Sequence, residues 1–324
     1  VSHAAGRPVV DAPLGQRLLF VLPAGALPDF GELLAAWCER GIHVTTLVND
    51  AALPDVQSLL AGTDTTDAVL LAGSARRAPS TVLAGPFVTD RTGRRVPVAW
   101  LPLAGRANNR RFAATAARVQ RRAREQTTVA VLGQWQPRYL RVADRIEALL
   151  APHLRTLRWT GDVLGRDDTV RSLGSGLGLA MYVGHGRPVG WVGYHGVRAH
   201  HFEQVWSDPA ACSEPLGAVL SLCCRTASRR RVGLSYAEAL PLLGVAAASF
   251  GAIGDTLHTD NTRWAIGLCD ALAAGAQTVG ELIAQGAPAT AAASSSYRLI
   301  GDPMAPLSGT EQGLARAARV VTYP

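Results

Sequence analysis

The chain has 324 residues, 48% of them hydrophobic and 18% charged, which gives room for one large domain or two ordinary ones and excludes disorder as the general state. The net charge of +7 would suit a nucleic-acid binder, yet all 32 basic residues are arginine and none is lysine. With abundant alanine, glycine and valine, that pattern reads as a bias towards GC-rich codons, so arginine stands in for lysine on an ordinary surface and nucleic acid is not expected as a partner. No apolar run reaches the length of a membrane span; Leu242 to Ile253, among the longest, is broken by glycine and serine. Val1 to Pro13 lacks the apolar core of a signal peptide. A soluble, cytoplasmic protein without a membrane partner is expected, although a trimmed secreted chain would look the same. The five cysteines, Cys38, Cys212, Cys223, Cys224 and Cys269, are odd in number, irregular in spacing and contain no CxxC pair. Neither a disulfide framework nor a structural zinc knuckle is expected.

In chain order, Arg17 to Leu22 is an apolar run suited to a buried parallel strand. Phe30 to Arg40 carries helical spacing and stops at Gly41, Ile42 to Val48 is rich in strand formers, and Val56 to Leu60 is a short helical stretch. Strands at Ala68 to Ala72 and Val96 to Leu101 precede a long helix from Asn108 to Glu125. The pattern then restarts with a strand at Thr128 to Leu132, a helix at Leu140 to Leu150, a strand at Arg155 to Trp159 and a short helix at Thr169 to Leu173. Strands at Leu177 to Val183, Ala218 to Cys223 and Val245 to Phe250 follow, with helices at Tyr236 to Leu243 and Trp264 to Ala274. Ala287 to Ser296 is read as a loop or helix end. The alternation predicts an α/β fold with a mostly parallel sheet, in two abutting units that meet near residues 125–128. The boundaries are a tail over 1–16, a leading subdomain over 17–126, a catalytic subdomain over 127–307 and a second tail over 308–324.

Open parallel sheets bind ligands beyond the C-terminal ends of their strands. Three strand ends of the second unit carry candidates there: Gly184-His185-Gly186, Cys223-Cys224-Arg225 and Gly251-Ala-Ile-Gly-Asp255. A histidine alone between glycines is more often structural. A cysteine at the next strand end reverses that judgement, because thiolate and imidazole together make a nucleophile and a general acid/base. His195, His200 and His201 with Asp208 and Cys212 fit no strong zinc spacing, so no metal is expected. Gly174 to Gly178 precedes a strand and lacks the Lys-Ser/Thr pair of a phosphate loop, so it is read as a turn. The arginines from Arg118 to Arg124 are read as a solvated helix face.

Tyr182-Val-Gly-His-Gly186 and Leu220-Ser-Leu-Cys-Cys-Arg225 resemble the catalytic segments of clan CD cysteine peptidases, and specifically the gingipain family of caspase relatives. Tyr236-Ala-Glu238 matches the aromatic-x-Glu after the nucleophile, and Tyr297-Arg-Leu-Ile-Gly-Asp-Pro-Met304 resembles the closing Leu-x-Gly-Asp-Pro signature. Pro97 to Arg106 resembles the corresponding part of the leading subdomain, so the resemblance spans roughly residues 17–307. It implies a three-layer α-β-α, caspase/gingipain-like fold from a bacterial source. It also implies a cysteine endopeptidase acting on protein or peptide through a thioester acyl-enzyme.

Carried over by position, the resemblance makes Cys224 the nucleophile, His185 the general base and acid, and the N–H groups of Gly186 and Cys224 the oxyanion hole. Cys223 takes the small-residue position before the nucleophile and is expected to be buried and inert. The histidine-orienting carboxylate of gingipains falls near Gln134, a neutral amide. The acidic S1 residue of arginine-specific members falls near Tyr139, so a preference for basic residues is not inherited. Asp255, beside Leu257 and His258 in the S1 wall, is a second acidic candidate, with a loop cap as the competing reading. No cofactor is expected, calcium being the one ion the resemblance allows. The alternatives kept open are a CHAT-type caspase-like peptidase in a regulated bacterial complex and a non-catalytic scaffold of the same fold. P1 preference, activation mode and oligomeric state are not legible in the sequence.

Overall fold

The computed structural model describes residues 15–49, 55–61, 65–206, 213–310, 313 and 315. In the first half the strands are β1 (Arg17–Leu22), β2 (His43–Val48), β3 (Ala68–Ser74), β4 (Phe87–Thr89) and β5 (Arg95–Leu103). In the second half they are β6 (Gln126–Gly133), β7 (Arg155–Arg158), β8 (Leu179–Val183), β9 (Gly186–Arg187), β10 (Gly190–Trp191), β11 (Val197–Arg198), β12 (Leu216–Leu222), β13 (Ala246–Ala252), β14 (Tyr297–Gly301) and β15 (Ser308–Gly309). Twelve of them form one sheet in the order β15-β6-β8-β12-β13-β14-β5-β3-β1-β2, with β4 beside β5 and β7 beside β6. The remaining three, β9 to β11, make a small antiparallel sheet directly after β8.

The architecture is a three-layer α/β fold, and alternation along the strands shows why. Leu18, Phe20 and Leu22 enter the core on one face of β1, whereas Leu19 and Val21 enter a separate cluster on the other. In β8, Leu179, Met181 and Val183 face the first core while Ala180 and Tyr182 face a third cluster with Trp159, Trp191 and Tyr236. Strands buried on both faces need helices on both sides of the sheet.

The two units join edge to edge through β14. It runs parallel to β5 but antiparallel to β13, so the strands of the two halves point in opposite directions and their C-terminal ends open on opposite rims. Tyr297 to Ile300 was legible only as part of a signature, not as this joining strand. The sequence also missed the helix Val279–Gly286, although Thr278 and Glu281 form its capping box. The loop read at Ala287 to Ser296 contains a one-turn helix, Ala291–Ser295.

The long helix ends at Arg121, four residues before the sequence limit. Beyond it the backbone extends, and the guanidinium of Arg122 donates to the carbonyls of Gly176, Pro215, Leu177 and Ser308 at 2.9 to 3.3 Å. Burial there lowers the Arg122 pKa to about 10. Arg118 pairs with Glu214, Arg121 with Glu39, and Arg124 reaches Gln120. The basic run therefore ties helix to sheet and is not an open cationic face. Among the described residues no helix is long and apolar enough to cross a membrane.

The segment leading into β15 crosses so close to Gly178 that a Cβ there would lie 1.6 Å from the Leu307 carbonyl oxygen. Leu307 is itself fixed by its N–H bond to Gln277. Gly178→Ala is therefore expected to destabilise the fold by about 3 kcal/mol or more. Urea unfolding measures this, and an unchanged midpoint would contradict the crossing.

Candidate active site

β8 and β12 are parallel neighbours with Val183 paired to Leu222. His185 and Cys224 each lie two residues beyond that pair, so the sheet delivers both to one point on its rim. The approach there is tight. A Cβ on Gly186 would sit 2.4 Å from the Cys224 carbonyl oxygen and 2.5 Å from the Cys223 sulfur, so only glycine lets the turn after His185 close over the cysteine loop.

The two cysteines differ sharply. Cys223 is fully buried, in the cluster of Tyr182, Trp191 and Tyr236, and burial pushes its thiol pKa well above the usual value. Cys224 is only half-buried. Its Sγ receives the Thr256 N–H at 3.4 Å and lies 3.5 Å from the Thr256 hydroxyl and 3.7 Å from its carbonyl oxygen. A main-chain donor aimed at sulfur stabilises a thiolate. Arg225, next in the chain, sits at φ 62°, a left-handed conformation costly for a residue other than glycine. Its N–H bond to Gly254 and that of Ala227 to Ala252 hold the strained loop against the end of β13.

Around His185 the turn is built from the neighbouring elements. Gln134 accepts the main-chain N–H of His185 at 2.8 Å, so this amide positions the backbone and does not meet the ring. Tyr182 donates its hydroxyl to the His185 carbonyl at 3.0 Å and stacks on Trp191, whose indole N–H bonds Ser221 just before the cysteines. The imidazole itself is met by Arg138, whose Nη2 lies 2.7 Å from Nε2. Arginine can only donate, so Nε2 accepts and the ring proton of neutral His185 resides on Nδ1. Burial first, and the Arg138 charge second, lower the His185 pKa from its ordinary value.

The S1 candidates separate. Tyr139 is buried, packs edge-on against both His185 and His258, and carries the Arg138 guanidinium over its ring at 4.6 Å. Tyr139 and His258, with Val142, Val183, Leu222, Asn261 and Thr262, line a narrow crevice that is closed to a water molecule. Leu257 is 68% exposed beside it. Asp255 does not face this crevice as a free carboxylate, because the Arg225 guanidinium pairs with it. Arg138 and Thr256 were not singled out from the sequence. Neither carries a local signal, since their roles come from contacts across 47 and 32 residues.

Glu238 of the aromatic-x-Glu match is fully buried, caps its helix through Ser235 and pairs with Arg229, which also donates to the Ala75 carbonyl of the first half. Of the other histidines, His201 accepts the Arg198 N–H through Nδ1 and lies against His200; Asp208 and Cys212 lie outside the described residues. Among the described residues no group of three or more His, Cys, Asp or Glu is placed to hold a metal ion.

Of the five exposed large apolar side chains among the described residues, Trp135, Val163 and Leu257 stand on the loops after β6, β7 and β13, and Val189 in the turn between β9 and β10.

Comparison with known proteins places the chain in a family and a fold. The model of Peptidase family C25 matches residues 112–308. No curated protein matches the sequence. Among solved structures, the chain is similar to the Arg-specific cysteine proteinase gingipain R (RgpB), with a TM-score of 0.70 and 14% identity over 93% of this chain and 80% of that one. It is also similar to the complex of the Porphyromonas gingivalis RgpB pro- and mature domains, with a TM-score of 0.68 and 14% identity over 89% and 79%. A further protease structure gives a TM-score of 0.63 at 13% identity over 89% and 78%. At these identities the likeness speaks to the fold.

Proposed function

This chain belongs to peptidase family C25 and is a cysteine peptidase, and from that premise we propose that it cleaves peptide bonds with Cys224 as nucleophile and His185 as acid and base. The observation that carries this reading is the placement of the two residues beyond the paired positions Val183 and Leu222, with the Thr256 N–H on the Cys224 sulfur. Cys224 gives up its proton to His185 and its sulfur forms a C–S bond with the scissile carbonyl carbon. The N–H groups of Gly186 and Cys224 receive the developing oxyanion. The carbonyl re-forms, the C–N bond breaks, and the leaving amine takes its proton from His185. Water then attacks the thioester, giving its proton to neutral His185, and the released thiolate recovers that proton. The products are a carboxylic acid and an amine, and the enzyme is unchanged.

Membership of C25 favours the gingipain reading over the CHAT-type one, and a scaffold would have no use for a half-buried thiol met by a main-chain donor.

The pH profile of kcat/KM tests the role of His185. The ring acts as base only when neutral, so activity falls as pH drops through its pKa. Burial and Arg138 both lower that value, so the acid limb is expected below the ordinary histidine value of 6.5. Removing the charge in Arg138→Gln is expected to move the limb to higher pH. A limb that stays in place would show that the group titrating in the profile is not His185.

A further inference from the structure

We infer that the S1 site takes an acidic side chain and that Arg138 is the residue that grips its carboxylate. The inference rests on the peptidase reading above and names the substrate class of that same site.

Arg138 opens the helix Pro137–Leu150 and carries its guanidinium over Tyr139, which lines the crevice between that helix and the helix His258–Ala273. Val183 and Leu222, on the same crevice, each lie two residues before the reacting pair, so the residue whose carbonyl meets Cys224 would present its side chain beside Arg138. Arg138 has no carboxylate partner among the described residues; it meets the Tyr139 ring and hydroxyl and the His185 Nε2. Its Nε is shielded from solvent and bonded to nothing. Nε–H and Nη2–H share one edge of the guanidinium, the edge a carboxylate grips with two parallel bonds. One of these donors is idle and the other rests on a neutral nitrogen. A charged fork with one shielded donor left idle is open to an anion.

The surroundings point the same way. The nearby carboxylate that would attract a cation, Asp255, is already neutralised by Arg225, and Asp260 pairs with Arg263. The crevice itself, with apolar walls and a polar rim at Asn261, Thr262 and His258, is closed to a water molecule, so a carboxylate would be met at its mouth, beside the Arg138 guanidinium that lies over Tyr139. Engaging the substrate carboxylate would also draw Nη2 away from His185, freeing Nε2 to exchange protons, so binding the correct residue readies the base.

The test uses the full chain and peptides that differ only at P1: Asp, Glu, Asn, Gln, Leu and Arg. Wild type is expected to cleave after Asp about 100-fold better in kcat/KM than after its isostere Asn. In Arg138→Gln that Asp-to-Asn ratio should fall to about threefold or less, and in Arg138→Glu the Asp-to-Arg ratio should invert. A wild-type ratio near one, or a preference for Arg, would overturn the inference whether or not the variants fold; so would an Asp preference that survives Arg138→Gln. Cys224→Ala separates the two readings. Cleavage with the wrong P1 preference that disappears in Cys224→Ala refutes the specificity alone. Absence of any cleavage that depends on Cys224 refutes the peptidase assignment of these residues and the specificity with it.

Discussion

Cys224→Ala is expected to lower kcat/KM on peptide substrates by at least about four orders of magnitude, whereas Cys223→Ala should stay within about tenfold of wild type. The asymmetry follows from where two adjacent thiols point. Cys223 belongs to the buried cluster under Tyr182, Trp191 and Tyr236, and its raised pKa keeps it protonated. Losing that sulfur costs packing of about 1 kcal/mol and no chemistry. Cys224 has left the strand, is half-buried and carries the Thr256 N–H on its sulfur. Steady-state kinetics on both folded variants checks the prediction; equal losses would mean the pair had been assigned the wrong way round.

The largest effect on stability is expected at Asp302, in the closing Gly-Asp-Pro signature. Its carboxyl is fully buried and accepts three donors: Trp37 Nε1 at 3.3 Å, Gln120 Nε2 at 2.8 Å and the Met304 N–H at 2.9 Å. Trp37 and Gln120 lie on helices of the first half, so this one side chain clasps that half to the end of the joining strand. Asp302→Ala leaves the Trp37 indole N–H and the Met304 N–H without this partner and the Gln120 amide with only its bond to the Met304 carbonyl, and should destabilise the fold by about 3–5 kcal/mol. The loss should depend on pH. Burial raises the Asp302 pKa from 3.8 to about 6, so between those values the folded state holds a proton that the unfolded state has released. Its contribution is full below pH 3.8 and declines as pH rises through about 6. The difference in unfolding free energy between wild type and Asp302→Ala should therefore be larger at pH 5 than at pH 8. Denaturant titrations at the two pH values measure it, and the opposite order would contradict a raised pKa.

Much of the site was legible because it sits where parallel strands end. Apolar runs bounded by glycine marked Leu177 to Val183 and Ala218 to Leu222, and their ends carry His185 and Cys224. What sequence could not supply were contacts between distant segments. Gln134 was placed near the histidine, but only the fold shows that its amide holds the His185 backbone and leaves the ring to Arg138. Asp255 read equally well as a pocket carboxylate or a loop residue until Arg225, 30 residues away, was found on it. The run from Arg118 to Arg124 was read as a solvated face, because charge alone does not reveal that Arg122 turns inward onto four carbonyls. The joining strand was hidden for a related reason. Tyr297 to Gly301 is short, and its direction is set by two neighbours, β5 and β13, that lie far from it in the chain.

The central claim, that Cys224 is the nucleophile of this peptidase, is tested most directly by locating a covalent adduct. Iodoacetamide alone does not suffice, because Cys38 is exposed and open to alkylation without any catalytic help. A peptidyl chloromethyl ketone requires a substrate-like pose before it reacts, so inactivation by one equivalent followed by peptide mapping reports the nucleophile itself. One adduct per chain is expected, on Cys224, formed in step with the loss of activity. Inactivation with the adduct on Cys38, Cys212, Cys223 or Cys269 and an unmodified Cys224 would contradict it.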